Sequence, residues 1–209
     1  MLKRTPSGEQ SCIEYALNET QALLLAGLHD QHDEVVRAAA SGFGHRPHPA
    51  ALPHLVRLSN HANAKVRWNV AIALGRYSDT TSIASLMVLA RDADSAVRDW
   101  ATFGLGSLHK ADSPEIREIF WTNLKDPHAD VRGEALAGLA ERGDSRVVGY
   151  LLEHLDDDCR VYELDAAEKM ADPRLASALL KLTTVAVDLT TDHYWRGRLD
   201  AAIAACSRA

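Results

Sequence analysis

No two of the three cysteines in this chain stand near one another. Cys12, Cys159 and Cys206 are scattered over 209 residues, and no C-x-x-C pair occurs. An odd, dispersed set builds neither a disulfide framework nor a cysteine-rich zinc site, and reads as the reduced thiols of a cytoplasmic protein. Basic charge is short as well: 23 lysines and arginines stand against 29 acids, a formal net charge of −6. Proteins that bind nucleic acid carry cations to neutralise phosphate, so this balance argues against that class. Long apolar runs are missing. The longest, Ala22 to Leu28, falls far below the roughly 20 residues of a membrane-spanning helix. The opening Met1-Leu2-Lys3-Arg4-Thr5-Pro6-Ser7-Gly8 has no apolar stretch behind its charges and does not read as a signal peptide. No segment alternates convincingly as a strand, and no nucleophile–base pair, phosphate loop or paired carboxylate stands out.

What the chain does have is a phrase that returns. It reads Val66-Arg67-x-x-Val70-Ala71-x-x-Leu74-Gly75, then Val97-Arg98-x-x-Ala101-x-x-x-Leu105-Gly106, then Val131-Arg132-x-x-Ala135-x-x-x-Leu139-Ala140. A shorter copy, Val36-Arg37-x-x-Ala40-x-x-Phe43-Gly44, precedes these, and a degenerate one follows at Tyr162-Glu163-x-x-Ala166-Ala167-x-x-Met170-Ala171. The valines at positions 36, 66, 97 and 131 are 30, 31 and 34 residues apart. A fixed period of this length means stacked units, none of which buries its apolar face alone. With the phrase's first valine as +0, positions +0, +1, +4, +5 and +8 fall within about 140° of a helical wheel. The phrase is therefore one buried helical stripe. Glycine at +9 suits a helix C-terminus with left-handed backbone.

A second amphipathic set lies between the phrases, at about residues 49–59, 82–91, 114–124 and 146–155, each after a turn rich in Asp, Ser or Pro. Those residues cap or open helices. Each repeat is thus two helices joined by short turns. Residues 11–28 and about 173–207 extend the pattern at the two ends, which leaves residues 1–10 loose and residues 11–209 as a single repeat domain.

Helix pairs carrying this Val-Arg-x-x-Ala phrase on the second helix resemble the HEAT-repeat superfamily. The roughly 31-residue spacing resembles its short, PBS-lyase-type HEAT-like form. The resemblance runs over about residues 11–187 and implies an all-α fold, a right-handed α-α superhelix of about six helix pairs. The stretch Val97 to Leu155 looks especially like small bacterial HEAT-repeat proteins, some of which are thought to be immunity proteins against toxins. The superfamily also includes chromophore lyases, iron-dependent hydroxylases and DNA glycosylases, and fold alone does not choose among them.

The motif arginines Arg37, Arg67, Arg98 and Arg132 recur at +1, inside the stripe. Their periodicity points to a structural ladder, pairing with acids or helix-end carbonyls. Positions +2, +3, +6 and +10 point away from the stripe, and in HEAT-like folds this second-helix side lines the concave surface. Trp68, Asn69, Ile72 and Arg76 stand there in the second copy, Asp99, Trp100 and Phe103 in the third, and Glu134 in the fourth. Large aromatic side chains beside charged ones are typical interface anchors; the other reading is that curvature packs them between adjacent helices.

Six of the ten histidines fall between His29 and His61, with His45 and His48 in one turn. No acid or cysteine recurs beside them at ligand spacing, and the His-Glu pairs of HEAT-type hydroxylases are absent, so no metal or cofactor is expected. Trp68, Asp99 and Trp100 match a HEAT-type glycosylase only in part, because its basic groove is missing. For a bilin lyase the likeness stops at the fold. The expected function is non-enzymatic capture of a protein partner, with an inhibitor or immunity role as its narrower form. Acidic charge suits a basic partner.

Overall fold

The computed structural model describes the backbone of residues 8–156, 158–185 and 193–207, and the side chains of residues 18–156, 158–184 and 193–207. Every regular element in them is helical. The twelve α-helices are α1 (Gly8–Gly27), α2 (Asp33–His45), α3 (Leu52–Leu58), α4 (Ala64–Leu74), α5 (Thr80–Leu89), α6 (Ser95–Phe103), α7 (Pro114–Asn123), α8 (Ala129–Glu141), α9 (Arg146–His154), α10 (Val161–Met170), α11 (Ala176–Val185) and α12 (His193–Cys206). Helix α1 thus begins inside the stretch expected to be loose, while residues 1–7 and 186–192 and the side chain of Cys12 lie outside the described residues.

Turn chemistry fixes where the helices begin. The Asp79 carboxylate accepts from the amides of Thr81 and Ser82 at 2.8 and 3.0 Å and opens α5. Asp94 does the same for Ala96 and Val97, Asn63 for Lys65, and the Ser113 hydroxyl for Ile116 ahead of Pro114. Such caps satisfy amides that the first turn leaves without a partner.

The chain divides between Leu89 and Ala90 into two compact units. In the first, α2 packs along α4, with α1 against α2 and α3 against both α4 and α5. In the second, α6, α8, α10 and α12 pack in succession, each of α8, α10 and α12 also meeting the first helix of its own pair. The motif stripe is the core of both: Val36, Ala40, Val66, Val70, Val97, Ala101, Val131, Ala135 and Leu139 are buried. The apolar stripe explains why each helix needs its neighbours, since burying a Val or Leu side chain contributes about 1.5–3 kcal/mol.

The +9 glycines do not adopt left-handed backbone. Gly75 has φ −59°, and Gly143 is the only glycine of positive φ among the described residues. The left-handed residue at +9 is instead Ala171, φ 48°, at the end of α10. Gly106 serves close approach. It lies in a π-helical turn, Gly104–Leu108, and a Cβ there would sit 3.2 Å from the Cα of Gly138 and 3.3 Å from the Glu134 carbonyl. The turn after α6 therefore seats directly on the backbone of α8.

Candidate functional site

Three motif arginines repeat one contact. Nη1 of Arg67 donates to the carbonyls of His61 and Ala62, that of Arg98 to Asp92 and Ala93, and that of Arg132 to Asp126 and Pro127. In each case the acceptors lie six and five residues before the arginine, in the turn that opens its helix. The guanidinium takes up carbonyls that the turn leaves outside the helical pattern. Arg98 reaches further, gripping Asp126 in the next repeat's turn through Nε at 2.6 Å and Nη2 at 2.9 Å. That pair is 15% and 7% exposed. Burial raises the Asp126 carboxyl, but the Arg98 guanidinium and the His128 amide outweigh it and hold the group below its ordinary range. Arg37 departs from the pattern and pairs with Glu34 one turn back on its own helix.

The outward positions separate into two sets. In the first unit, Trp68 and Ile72 are half-buried and Arg76 is exposed. Ile72 rests over Gly44 of α2, where a Cβ would stand 3.3 Å from its Cγ2. Asn69 is not a rim residue. It is 4% exposed, because its side-chain amide turns back along α4 to donate to the Lys65 carbonyl at 2.9 Å. An amide that finds a partner on its own helix has no need of solvent.

The second unit brings its predicted residues together. Asp99, Trp100 and Phe103 of α6 and Glu134 of α8 line one pocket of about 200 Å³. Trp100 and Phe103 meet edge to face, their ring centroids 5.6 Å apart at 86°. All four residues are half-buried, so neither the fully exposed anchors nor the fully packed ones of the two sequence readings are found. Tyr162 of α10 holds the glutamate: its hydroxyl donates to Oε1 of Glu134 at 2.9 Å. Burial pushes the Asp99 carboxyl up, and the negative charge of Asp130 adds to it against a smaller opposing effect of His128. Burial likewise raises Glu134, with Asp99 and Asp130 acting in the same direction and the Tyr162 hydrogen bond against them. The Tyr162 phenol is driven well above its usual range by burial and by Glu134. Among the described residues neither Asp99 nor Glu134 has an ion-pair partner.

Other hollows of the second unit are larger. One of about 560 Å³ is lined by Asp112, Arg117, Glu118, Asp144 and Arg146, whose charges pair with one another. Arg146 sits 4.7 Å over the Trp121 ring while bonding Asp144 at 2.8 Å and Glu118 at 3.1 Å. Sequence reasoning missed this cluster, and it missed Arg142, whose side chain is 4% exposed. The Arg142 guanidinium donates to the carbonyls of Leu105, Gly106, His109, Ala111 and Gly138 and lies 5.0 Å over the Phe120 ring. It holds the π-helical turn onto α8. Burial lowers its pKa, opposed by Asp112.

The clustered histidines contact one another, the backbone and single acids, His32 lying 2.9 Å from Asp30 and His61 3.6 Å from Asp33. His29 and His54 meet through Nε2 and Nδ1 at 2.9 Å, and His48 Nδ1 accepts from the Ala50 amide. Among the described residues no group of three or more His, Cys, Asp or Glu side chains is placed to hold a metal ion, and no helix is long and apolar enough to cross a membrane.

With this geometry in place, likeness to known proteins is informative. The family model of HEAT repeats matches residues 21–106 and 86–171. Protein YibA of Escherichia coli strain K12 is 34% identical over 119 residues, which cover 56% of this chain and 42% of YibA. The match therefore spans less than half the length of that relative. The X-ray structure of YibA superposes with a TM-score of 0.74 at 24% identity, over 92% of this chain and 69% of that one. An archaeal HEAT-like repeats protein from Thermococcus onnurineus NA1 gives 0.60 at 15% identity, over 95% and 92%. A designed armadillo repeat protein in complex with the peptide (KR)4 gives 0.59 at 15%, over 87% and 97%. At these identities the structures speak for the fold, an α-α helical repeat.

Proposed function

The chain belongs to the HEAT-repeat family, and from that premise we propose that it is a non-enzymatic scaffold that captures a protein partner on the outward side of its second helices. The observation that carries this reading is the α6–α8 pocket, where Trp100 and Phe103 stand beside two acids without a cation. Half-buried aromatic groups next to unsatisfied charge are anchors of interfaces, since a partner completes both. A repeat scaffold of the same fold in complex with the peptide (KR)4 supports an interaction role in general terms. Trp68, Ile72 and Arg76 extend the proposal to the first unit; Asn69, buried on its own helix, drops out of it.

Two properties of the pocket weigh against the rival classes. Its volume of about 200 Å³ lies below the roughly 300–1,000 Å³ of sites that enclose a small molecule, which counts against this pocket as the site of a bilin lyase. No lysine or arginine lines it, which counts against a nucleic-acid enzyme. An inhibitor of a basic protein, in the cytoplasm, is the narrow form of the proposal.

Site-specific photo-crosslinking tests it. A crosslinking residue at Ser107, exposed just beyond the pocket, is compared with one at Leu152, exposed on α9. The proposal expects a defined protein adduct from position 107 that Trp100→Ala abolishes. Adducts that form equally from position 152, or that ignore Trp100→Ala, count against it.

A further inference from the structure

We infer that the pocket bounded by Asp99, Trp100, Phe103 and Glu134 receives an arginine side chain of the partner protein, an inference that rests on the scaffold role above. The first ground is a comparison of acids within the second unit. Asp112, Asp126, Asp144, Glu141, Asp165, Glu168 and Asp172 each face an arginine or lysine. Asp99 and Glu134 do not, although they are half-buried and share one hollow, whereas the half-buried Asp94 and Glu163, also without an ion pair, are taken up in capping helix N-termini. Removing carboxylates from water without a counter-charge is unfavourable, and a cation supplied from outside reverses that cost.

The second ground is that the molecule already contains the completed arrangement. Arg146 lies over the Trp121 indole and bonds two carboxylates, Asp144 and Glu118. The α6–α8 pocket has the same parts, one indole and two carboxylates, and neither an arginine nor a lysine lines it. Its volume of about 200 Å³ leaves room for a long side chain.

Arginine suits the pocket better than lysine. Its planar fork bonds carboxylates while its face stacks on an aromatic ring, and it is less strongly hydrated than an ammonium, so entering a half-buried site is easier. The groups around the carboxylates favour a cation in sum. Asp130 adds negative charge, His128 opposes it near Asp99, and Tyr162 donates to Glu134 while leaving its charge in place.

The experiment uses the whole protein and three peptides, (Gly-Arg)4, (Gly-Lys)4 and (Gly-citrulline)4, read by the indole N–H resonance of Trp100. Citrulline keeps the shape of arginine and removes its charge. Asp99→Asn/Glu134→Gln tests the pocket, and Glu153→Gln/Asp200→Asn removes the same charge at exposed positions. The arginine peptide is expected to shift the Trp100 resonance saturably, the lysine peptide more weakly and the citrulline peptide not at all. Affinity is expected to fall about tenfold or more in the pocket variant and to stay near wild type in the control. Equal response to citrulline and arginine, or equal weakening in the two variants, overturns the inference. If Trp100→Ala abolishes the protein adduct but no arginine peptide binds, the scaffold stands and the arginine assignment falls. If the arginine peptide binds but no adduct forms from position 107, the scaffold reading is the one that fails.

Discussion

The Tyr162 hydroxyl donates a 2.9 Å hydrogen bond to Oε1 of Glu134, and its ring fills the space beside Gly133, the residue before that glutamate. A Cβ at position 133 would lie 2.2 Å from the ring's Cδ2. One residue without a side chain thus admits the aromatic ring that orients one wall of the pocket.

Gly133→Ala is accordingly expected to destabilise the protein by about 2 kcal/mol or more, because neither the ring nor the α8 backbone yields easily. Tyr162→Ala removes the obstacle, so the double variant should lose less than the sum of the two single changes in urea unfolding. Additive losses would show that the ring and the glycine do not meet.

Arg142 makes a sharper demand on stability. Replacing it with methionine leaves five carbonyls around the Gly104–Leu108 turn without their donor. The expected loss is about 3–5 kcal/mol. Urea unfolding checks it, and a change below about 1 kcal/mol would mean that water or backbone movement satisfies those carbonyls.

The motif arginines should not be equivalent. Arg98→Ala strands Asp126 at 7% exposure as well as the turn carbonyls, with an expected cost of about 3 kcal/mol. Arg132→Ala removes carbonyl contacts only, at about 1 kcal/mol. Equal losses in thermal or urea unfolding would place the energy in the shared carbonyl contact and not in the ion pair.

Much of this was legible in the sequence. The Val-Arg phrase located the buried stripe, and its register carried Asp99, Trp100, Phe103 and Glu134 to one side of α6 and α8, where the pocket forms. The same register misplaced Asn69. It shares +3 with Trp100 and Glu134, but an asparagine has an alternative that a tryptophan lacks, a hydrogen bond to its own helix. The +9 glycines read as left-handed caps because helix ends often need them; at Gly106 the need is close approach to Gly138, which depends on tertiary packing. Arg142 was invisible because its acceptors lie as far as 37 residues away. Tyr162 carried a signal of its own: a tyrosine stands at +0 where the other copies have valine, opposite a repeat whose +2 residue is glycine.

The pocket acids should work against stability at neutral pH. A carboxyl whose folded pKa is raised contributes stability below the ordinary carboxylate range and loses it as pH rises through the raised value. Asp99 and Glu134 are both raised. The Asp99→Asn/Glu134→Gln variant should therefore be more stable than wild type at pH 7, by about 0.5–1 kcal/mol, and the difference should vanish near pH 3. Asp112 and Asp144 behave oppositely. The Arg117 and Arg146 guanidiniums hold them low, so their contribution is present at neutral pH and lost on acidification. Melting curves across pH separate the two groups, and a pocket variant less stable than wild type at pH 7 would contradict the assignment.

The thermal shift produced by the (Gly-Arg)4 peptide tests the central claim most directly, because a ligand that binds only the folded state stabilises it by RT ln(1 + [L]/Kd). The wild-type protein should melt at a temperature that climbs as the peptide is added, and with the logarithm of its concentration once the site is largely filled. The Asp99→Asn/Glu134→Gln variant should begin higher at neutral pH and rise far less at the same peptide concentrations. No shift in the wild type, or an equal shift in the variant, would contradict the account.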